Sequence, residues 1–312
     1  MDRYYSFNRF LRNKFGCRVQ RLSLNAGFGC PNIYGKRNNK GCIFCNNKAF
    51  SYYTKSASLP LSEQIEQSMT YARRRYKAKK FIAYFQSFTN TYADLDELEN
   101  KYSIIRKFKD IIGMSISTRP DCVNKDKIKL IESFTKDYMV WMEYGLQTVH
   151  NKSLKYLNRN HTYQDFLKAL EITKNKNIFI GVHLILGIPE ESRQDVLATA
   201  ETIAKLPISG VKFHCLHAVK ETKLQELYLQ DKVSFLSEPE YIDIICDFLE
   251  RIPEGWVVLR LVSDAAKNYL VTPLWINKKQ AVIQNIEKEL ERRGSYQGMK
   301  AGSKPIRAST NM

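Results

Sequence analysis

The chain has 312 residues, 44% of them hydrophobic, which excludes wholesale disorder and allows one large α/β domain with an appendage or two modest domains. Its 49 Lys and Arg against 32 Asp and Glu give a formal charge of +17, an excess that attracts phosphate-rich partners at low salt and equally suits a solvated basic surface. The opening MDRYYSFNRFLRNKF mixes charges with aromatics and builds no apolar signal core, and no run of about eighteen apolar residues follows, so the sequence reads as cytoplasmic, without a membrane span.

Residues 1–20 read as a lead-in. From Arg21 onward, short apolar runs alternate with longer segments of helical period, the pattern of βα units around a parallel sheet. Strands are expected at Leu22 to Gly27, Phe81 to Gln86, Ile112 to Ser117, Tyr138 to Leu146, Ile178 to Gly187 and Val211 to Leu216. Helices are expected at Leu61 to Tyr76, Leu95 to Phe108, Lys125 to Phe134, Tyr163 to Lys174 and Ser192 to Leu206, with Ser62, Asp94, Asn124, Thr162 and Glu191 near their starts. Six units are fewer than the eight of a closed barrel. The fold class is therefore α/β, a partial (β/α)6 TIM-type barrel over residues 21–230, with its chemistry at the rim where the strands end. Residues 231–293 then form a C-terminal α/β extension: a helix near Pro239 to Arg251, a strand near Trp256 to Val262 and a charged helix from Asn277 to Arg293. The basic tail 294–312 has little to bury and is expected to be largely disordered.

Seven cysteines are scattered except for one cluster. Cys30, Cys42 and Cys45 form a C-x11-C-x2-C array just after the first strand, in Gly- and Asn-rich surroundings. Three thiolates without a nearby fourth leave one iron of a 4Fe-4S cluster open to a ligand. Zinc is the rival reading of a C-x2-C pair, although the next histidine, His150, lies far beyond finger spacing. Cys122 follows Pro120 and Asp121 at a strand-to-helix junction and is expected near the cavity, whereas Cys17, Cys215 and Cys246 read as small core residues.

Here the chain resembles the radical S-adenosylmethionine (SAM) superfamily, in particular the YhcC/YtqA-like group related to the radical domain of elongator-type tRNA acetyltransferases. The resemblance rests on NAGFGCPN with GCIFCNN, YFQSFTNTY, STRPDC, EYGLQT, LNRNHTY, HLILGIPEES and the late NKKQ with ERRGSYQG, in that order along most of the chain. Most of the superfamily uses C-x3-C-x2-C. The longer loop here carries Lys36, Arg37 and Lys40, which either meet a polyanionic substrate or simply close over the cluster.

The resemblance implies a 4Fe-4S cluster on Cys30, Cys42 and Cys45, and SAM chelated to the open iron. A one-electron reductant such as a flavodoxin or ferredoxin then drives cleavage to a 5′-deoxyadenosyl radical. The superfamily's usual Glu for the methionyl amine is absent from YFQSFTN, leaving Gln86 or Ser87 as first choice, with Thr89 and Asn90 nearby. Ser117 and Thr118 end the third strand, Gln147 ends the fourth, and Arg159 matches an Arg that meets the cofactor carboxylate, a task suited to a guanidinium. His183 opens HLILGIP, where relatives often place a cofactor or substrate contact. Glu143 is a carboxylate in an apolar strand and must be paired or face the cavity. His214 adds a second strand histidine toward the same rim, so Glu143, His183 and His214 are the catalytic candidates. The leading expectation is a nucleic-acid-linked substrate, with tRNA as the first candidate. A small metabolite or cofactor precursor is the alternative, and a zinc-containing RNA-binding protein a third.

Overall fold

The computed structural model describes residues 2–34, 40–50 and 59–301. Lys36 and Arg37 of the long loop, and residues 302–312 of the tail, lie outside the described residues. Within them, the apolar runs pair as parallel strands: β1 (Val19–Leu24), β2 (Lys80–Phe85), β3 (Ile111–Thr118), β4 (Met139–Gln147), β5 (Ile178–Leu186) and β6 (Gly210–Cys215). A short antiparallel pair, β7 (Ala218–Val219) with β9 (Leu270–Thr272), stands apart. The strand expected in the C-terminal extension, β8 (Val257–Arg260), adds to β6 as a seventh parallel member, giving the order β1-β2-β3-β4-β5-β6-β8 of a curled half-barrel. β1 begins and ends three residues earlier than expected. Asn25, whose backbone N–H donates to Gln64 Oε1 (2.9 Å), has already left the sheet.

The N-terminal helix is α1 (Phe7–Phe15), and the longer helices returning the chain between strands are α2 (Leu61–Tyr76), α3 (Leu95–Ser103), α4 (Lys125–Ser133), α5 (Tyr163–Thr173) and α6 (Arg193–Ile203). Asp94, Asn124 and Thr162 cap α3, α4 and α5 by accepting from the third backbone N–H, as their residue types favour. Ser192, rather than Glu191, caps α6, and α2 opens after Pro60 without a side-chain cap. Two C-terminal helices, α7 (Glu238–Arg251) and α8 (Lys279–Arg292), pack together over the β5–β6–β8 side.

The lead-in segment does more than introduce the barrel. α1 presents Phe7, Phe10 and Leu11 to Trp141, Phe179, Val257 and Leu259, residues from the entry half of β4, β5 and β8. Phe7 meets Trp141 edge-on at 5.7 Å, and Phe179 stacks on Trp141 at 5.0 Å. Tyr5 O accepts from Val258 N (2.8 Å), so the chain just before α1 extends the sheet at β8. The open side of the half-barrel, between β8 and β1, is thereby plugged at the end where the strands begin.

One expectation is corrected at the other terminus. Residues 294–301 are packed rather than disordered, because Gln297 satisfies a set of main-chain groups that would otherwise be stranded. Its amide donates to Pro253 O (2.7 Å) and Trp256 O (2.8 Å), and its Oε1 accepts from Tyr5 N (2.9 Å). Ser295 Oγ bonds Glu250 Oε1 (2.7 Å), and Arg293 gathers Asp243, Asp247, Glu250 and Glu289. Among the described residues no helix is long and apolar enough to cross a membrane. Cys215 and Cys246 are buried core residues, as expected, and Cys17 is half-buried beside the α1 cluster.

Phe7→Ala should cost about 3 kcal/mol, the usual penalty for truncating a packed aromatic, while Phe7→Leu should cost much less. Urea unfolding of the full chain reads both. Equal, near-zero changes would mean that α1 lies on the barrel without supporting it.

Candidate active site

Side chains alternate across each strand, so every strand of the half-barrel sends one set of residues outward to the helices and the other inward. Deep in the interior the inward set is hydrophobic, the α1–Trp141 layer. One turn of side chains higher it becomes charged. Glu143, in the middle of β4 and 1% exposed, accepts from residues of four other strands. Its Oε1 takes Arg21 Nη1 of β1 at 3.1 Å and the Ser115 hydroxyl of β3. Its Oε2 takes His183 Nε2 of β5 at 2.8 Å and Lys212 Nζ of β6 at 3.0 Å. Lys212 also donates to the Tyr84 hydroxyl of β2, which shares a 2.8 Å hydrogen bond with Ser117 Oγ. Gly181, the register partner of Glu143 on β5, makes room for this layer: a Cβ there would stand 2.8 Å from Leu259 and 3.3 Å from Glu143 Cγ.

The electrostatics follow from these contacts. Burial alone would raise the Glu143 carboxyl, but the Lys212 ammonium, the His183 hydrogen bond and the Arg21 guanidinium outweigh it and hold Glu143 well below the usual carboxylate range. Burial drives His183 down to about 3, with Lys212 adding to the effect. A neutral imidazole whose Nε2 faces a carboxylate must carry its proton there, which fixes the tautomer. Lys212 is brought down to about 7, first by burial, with Glu143 opposing and Arg260 and Arg21 reinforcing. One carboxylate cannot neutralise both Arg21 and Lys212. A guanidinium does not give up its proton, so the lysine's is the one available near neutral pH. His214 lies beside His183, ring centroids 5.4 Å apart, and accepts from Arg260 Nη2 at about 3 Å; burial and that guanidinium keep it neutral.

Above this layer, at the rim, the loop after β1 meets the segment after β4. Asn32 Nδ2 donates to Cys42 Sγ (3.3 Å) and to Asn158 O (2.7 Å), and its Oδ1 accepts from Asn160 (2.6 Å). Asn158 and Asn160 both have φ near +53°, a left-handed backbone that Asn tolerates. The Arg159 backbone is thus presented between them. Arg159, 7% exposed, donates Nη1 to Cys42 Sγ (3.3 Å), Nη2 to Gly145 O (2.9 Å) and Nε to His161 Nε2 (3.2 Å). Asn47 Nδ2 points at Cys45 Sγ (3.7 Å). The Cys45 thiol is pushed up to about 12 by burial and then by Cys42 and Cys30; among the described residues no group of three His, Cys, Asp or Glu side chains is arranged to hold a metal ion. Arg119 is 3% exposed and holds Asp121 through Nε (2.9 Å) and Nη2 (3.0 Å), yet its buried Nη1 has no partner among the described residues. Asn90 is fully buried with Oδ1 likewise unpartnered.

The other residues singled out in the sequence are distributed around this rim. Gln86 is half-buried and donates to Phe50 O (3.2 Å), and Ser87 is 1% exposed. Asn90 Nδ2 donates to Ser117 O (2.9 Å), while Thr118 bonds Thr91 (2.6 Å). Thr89 N donates to Gly29 O (3.1 Å), next to Cys30. Gln147 leaves β4 with φ +76° and crowds Gly145 together with Arg159. Lys40 is exposed at the far side of the loop, and Cys122 is half-buried with its thiol raised to about 12 by burial and by Asp121. Sequence reasoning missed Arg21, Tyr84, Arg119 and Lys212. Two of them carried the same signal that marked Glu143, a charge inside an apolar strand, in VQRLSL and GVKFHC.

With this geometry in view, residues 32–203 match the radical SAM superfamily and residues 208–292 match the radical SAM C-terminal domain. The protein YtqA of Bacillus subtilis (strain 168) is 35% identical over 296 residues, covering 95% of this chain and 92% of that protein. A tRNA uridine(34) acetyltransferase of Methanocaldococcus jannaschii is 26% identical over 188 residues, 59% of this chain and 33% of that one. Among solved structures, the archaeal Methanocaldococcus infernus Elp3 with an N-terminal deletion superposes with a TM-score of 0.64 at 14% identity, covering 89% of this chain and 64% of that chain. The fold is shared. This chain belongs to the radical SAM superfamily. It is accordingly an enzyme whose cofactors are a 4Fe-4S cluster and SAM. What the rim offers these groups is amide and guanidinium N–H donors aimed at cysteine sulfur, and polar atoms of Arg119 and Asn90 that have no partner among the described residues, although the three thiols are not gathered there as metal ligands.

His183 gives a pH signature. Between about pH 6.5 and 3 the unfolded chain binds a proton at this imidazole that the folded chain refuses, so stability falls as pH drops through that window. His183→Gln should remove roughly one proton's share of the slope, about 1.4 kcal/mol per pH unit. Urea unfolding at pH 4 to 6.5 measures it, and parallel curves for variant and parent would refute the buried neutral state.

Proposed function

We propose that Cys30, Cys42 and Cys45 hold the 4Fe-4S cluster at the barrel rim, and that the enzyme acts on a nucleic-acid-linked substrate, tRNA being the favoured class. The observation that carries the first part is the convergence of three N–H donors, from Asn32, Asn47 and Arg159, on the sulfurs of Cys42 and Cys45. Such donors lower the charge density on thiolate ligands and tune a cluster's potential. When bound and reduced by a one-electron donor, the cluster and SAM supply a 5′-deoxyadenosyl radical and methionine. The protein's own residues bind, orient and exclude water.

The described side-chain hydrogen bonds of Arg159 go to Cys42, Gly145 and His161, so we assign it to the cluster side and place Arg119, whose Nη1 has no partner among the described residues, toward the cofactor carboxylate. Gln147, Ser117 and Gln86 line the same rim as further cofactor contacts. Below them, Lys212 is the group best suited to give or take a proton near neutral pH, with Glu143 and Tyr84 accepting from its ammonium and His183 steadying Glu143. Support for tRNA comes from the +17 charge and from the partial likeness to a tRNA uridine(34) acetyltransferase.

Anaerobic reconstitution with iron and sulfide should load about four irons per chain, and reduction in the presence of SAM should release 5′-deoxyadenosine. Cys30→Ser, Cys42→Ser and Cys45→Ser should each abolish that release and lose most of the iron while leaving the unfolding midpoint of the metal-free protein nearly unchanged. A chain that binds only zinc and yields no 5′-deoxyadenosine would overturn the reading.

A further inference from the structure

The +17 charge is unevenly placed. In a parallel half-barrel all strands begin at one end and finish at the other, and the Cys30–Cys45 loop, Asn90, Arg119 and Arg159 follow strand ends. The opposite end is built from the segments that lead into the strands. Into β1 run residues 12–18 with three Lys and Arg, into β2 residues 74–80 with five, and into β3 residues 106–109 with three. None of these forms an ion pair among the described residues; the local carboxylate, Asp110, is taken by Arg73 at 2.6 Å. Arg18, Arg74, Arg75, Lys77 and Lys79 are all exposed. Aromatic rings are interleaved with them, Arg18 and Arg75 both lying over Tyr76 (5.1 and 5.6 Å), with Tyr71 edge-on to Tyr76 and 51% exposed.

We propose that this entry face, across β1 to β3 and the end of α2, is a docking surface for the phosphate backbone of a folded RNA. It is separate from the cofactor rim. Three loops contribute cations that form no ion pair among the described residues, although Asp110 and Asp137 stand near the third, and such a row is how a protein gathers successive phosphates; the exposed Tyr71 among the arginines offers stacking to an unpaired base. An electron donor would dock elsewhere, since six-residue strands separate this face from the rim by about 20 Å. A folded RNA spans that distance with ease. The placement rests on the nucleic-acid reading above, and it accounts for that reading by a built surface rather than by overall charge.

The test uses the reconstituted, oxidised protein and bulk tRNA as probe. The parent should bind with steep salt dependence, and the Arg74→Glu/Arg75→Glu/Lys79→Glu variant should lose about tenfold or more in affinity and flatten the salt slope by about three, one for each lost phosphate contact. Arg106→Glu/Lys107→Glu/Lys109→Glu, on a different loop, should act in the same direction, guarding against a fold defect in either variant. Release of 5′-deoxyadenosine without RNA should be unchanged in both. The proposal fails if reversing the exposed Lys155 and Lys168 on the other side of the barrel weakens binding as much. It also fails if tRNA binding is unaltered by the entry-face variants, or if the face retains phosphatidylserine vesicles but not RNA. SAM cleavage is scored separately, so loss of the radical SAM chemistry and loss of the docking surface give different results.

Discussion

A carboxylate at the centre of an apolar sheet constrains this molecule more than any other single group. Glu143 is ionised and nearly inaccessible, and an uncompensated charge there would cost several kcal/mol. Compensation comes from Arg21, Ser115, His183 and Lys212, one residue from each of four other strands, which fixes strand register as well as charge. A slip of one residue on β5 or β6 would turn His183 or Lys212 outward and leave Glu143 short of a partner. The same layer also prepares chemistry, because burial, reinforced by Arg260 and Arg21, leaves Lys212 with a labile proton that Glu143 only partly holds.

Below and above this layer the sequence solves different problems. Below it, interior aromatic residues need a cover, and the barrel lacks the eighth unit that would close it. α1 supplies the cover with Phe7, Phe10 and Leu11, and the strand-like pairing of Tyr5 with Val258 blunts the exposed edge of β8. Above it, the polar side chains are concerned with holding loops. Asn32, Asn158 and Asn160 tie the cysteine loop to the segment after β4, so Arg159 is positioned by the hydrogen bonds that also set Cys42. The NRNH phrase matters here for backbone geometry as much as for its charge.

How much of this was legible varies with the range of the interaction concerned. Strand and helix positions were readable because they depend on local period and on caps such as Asp94, Asn124 and Thr162. The cysteine array stood out in the sequence because its spacing is local. α1 was not, since the partners that make its apolar face useful, Trp141, Phe179 and Leu259, lie more than a hundred residues away. Gln297 was likewise misread. A Gly- and Lys-rich tail looks dispensable until one amide is found to satisfy carbonyls of the turn before β8. The charged interior was half legible, as reasoning applied to Glu143 held equally for Arg21 and Lys212.

Arg159 shows why residue type alone does not assign a role. A guanidinium has five N–H donors in a fixed plane, and what it offers a ligand is whatever the protein leaves unused. Arg159 directs each of its three nitrogens at an internal acceptor, one of them a cysteine sulfur. Arg119 sits in the STRPD phrase one strand away, clamps Asp121 with two nitrogens and keeps the third buried and without a partner among the described residues. An orphaned donor in such a site is costly unless something arrives to meet it. Two arginines of the same rim thus divide two tasks. One holds a cysteine sulfur in place, and the other keeps a desolvated donor in reserve.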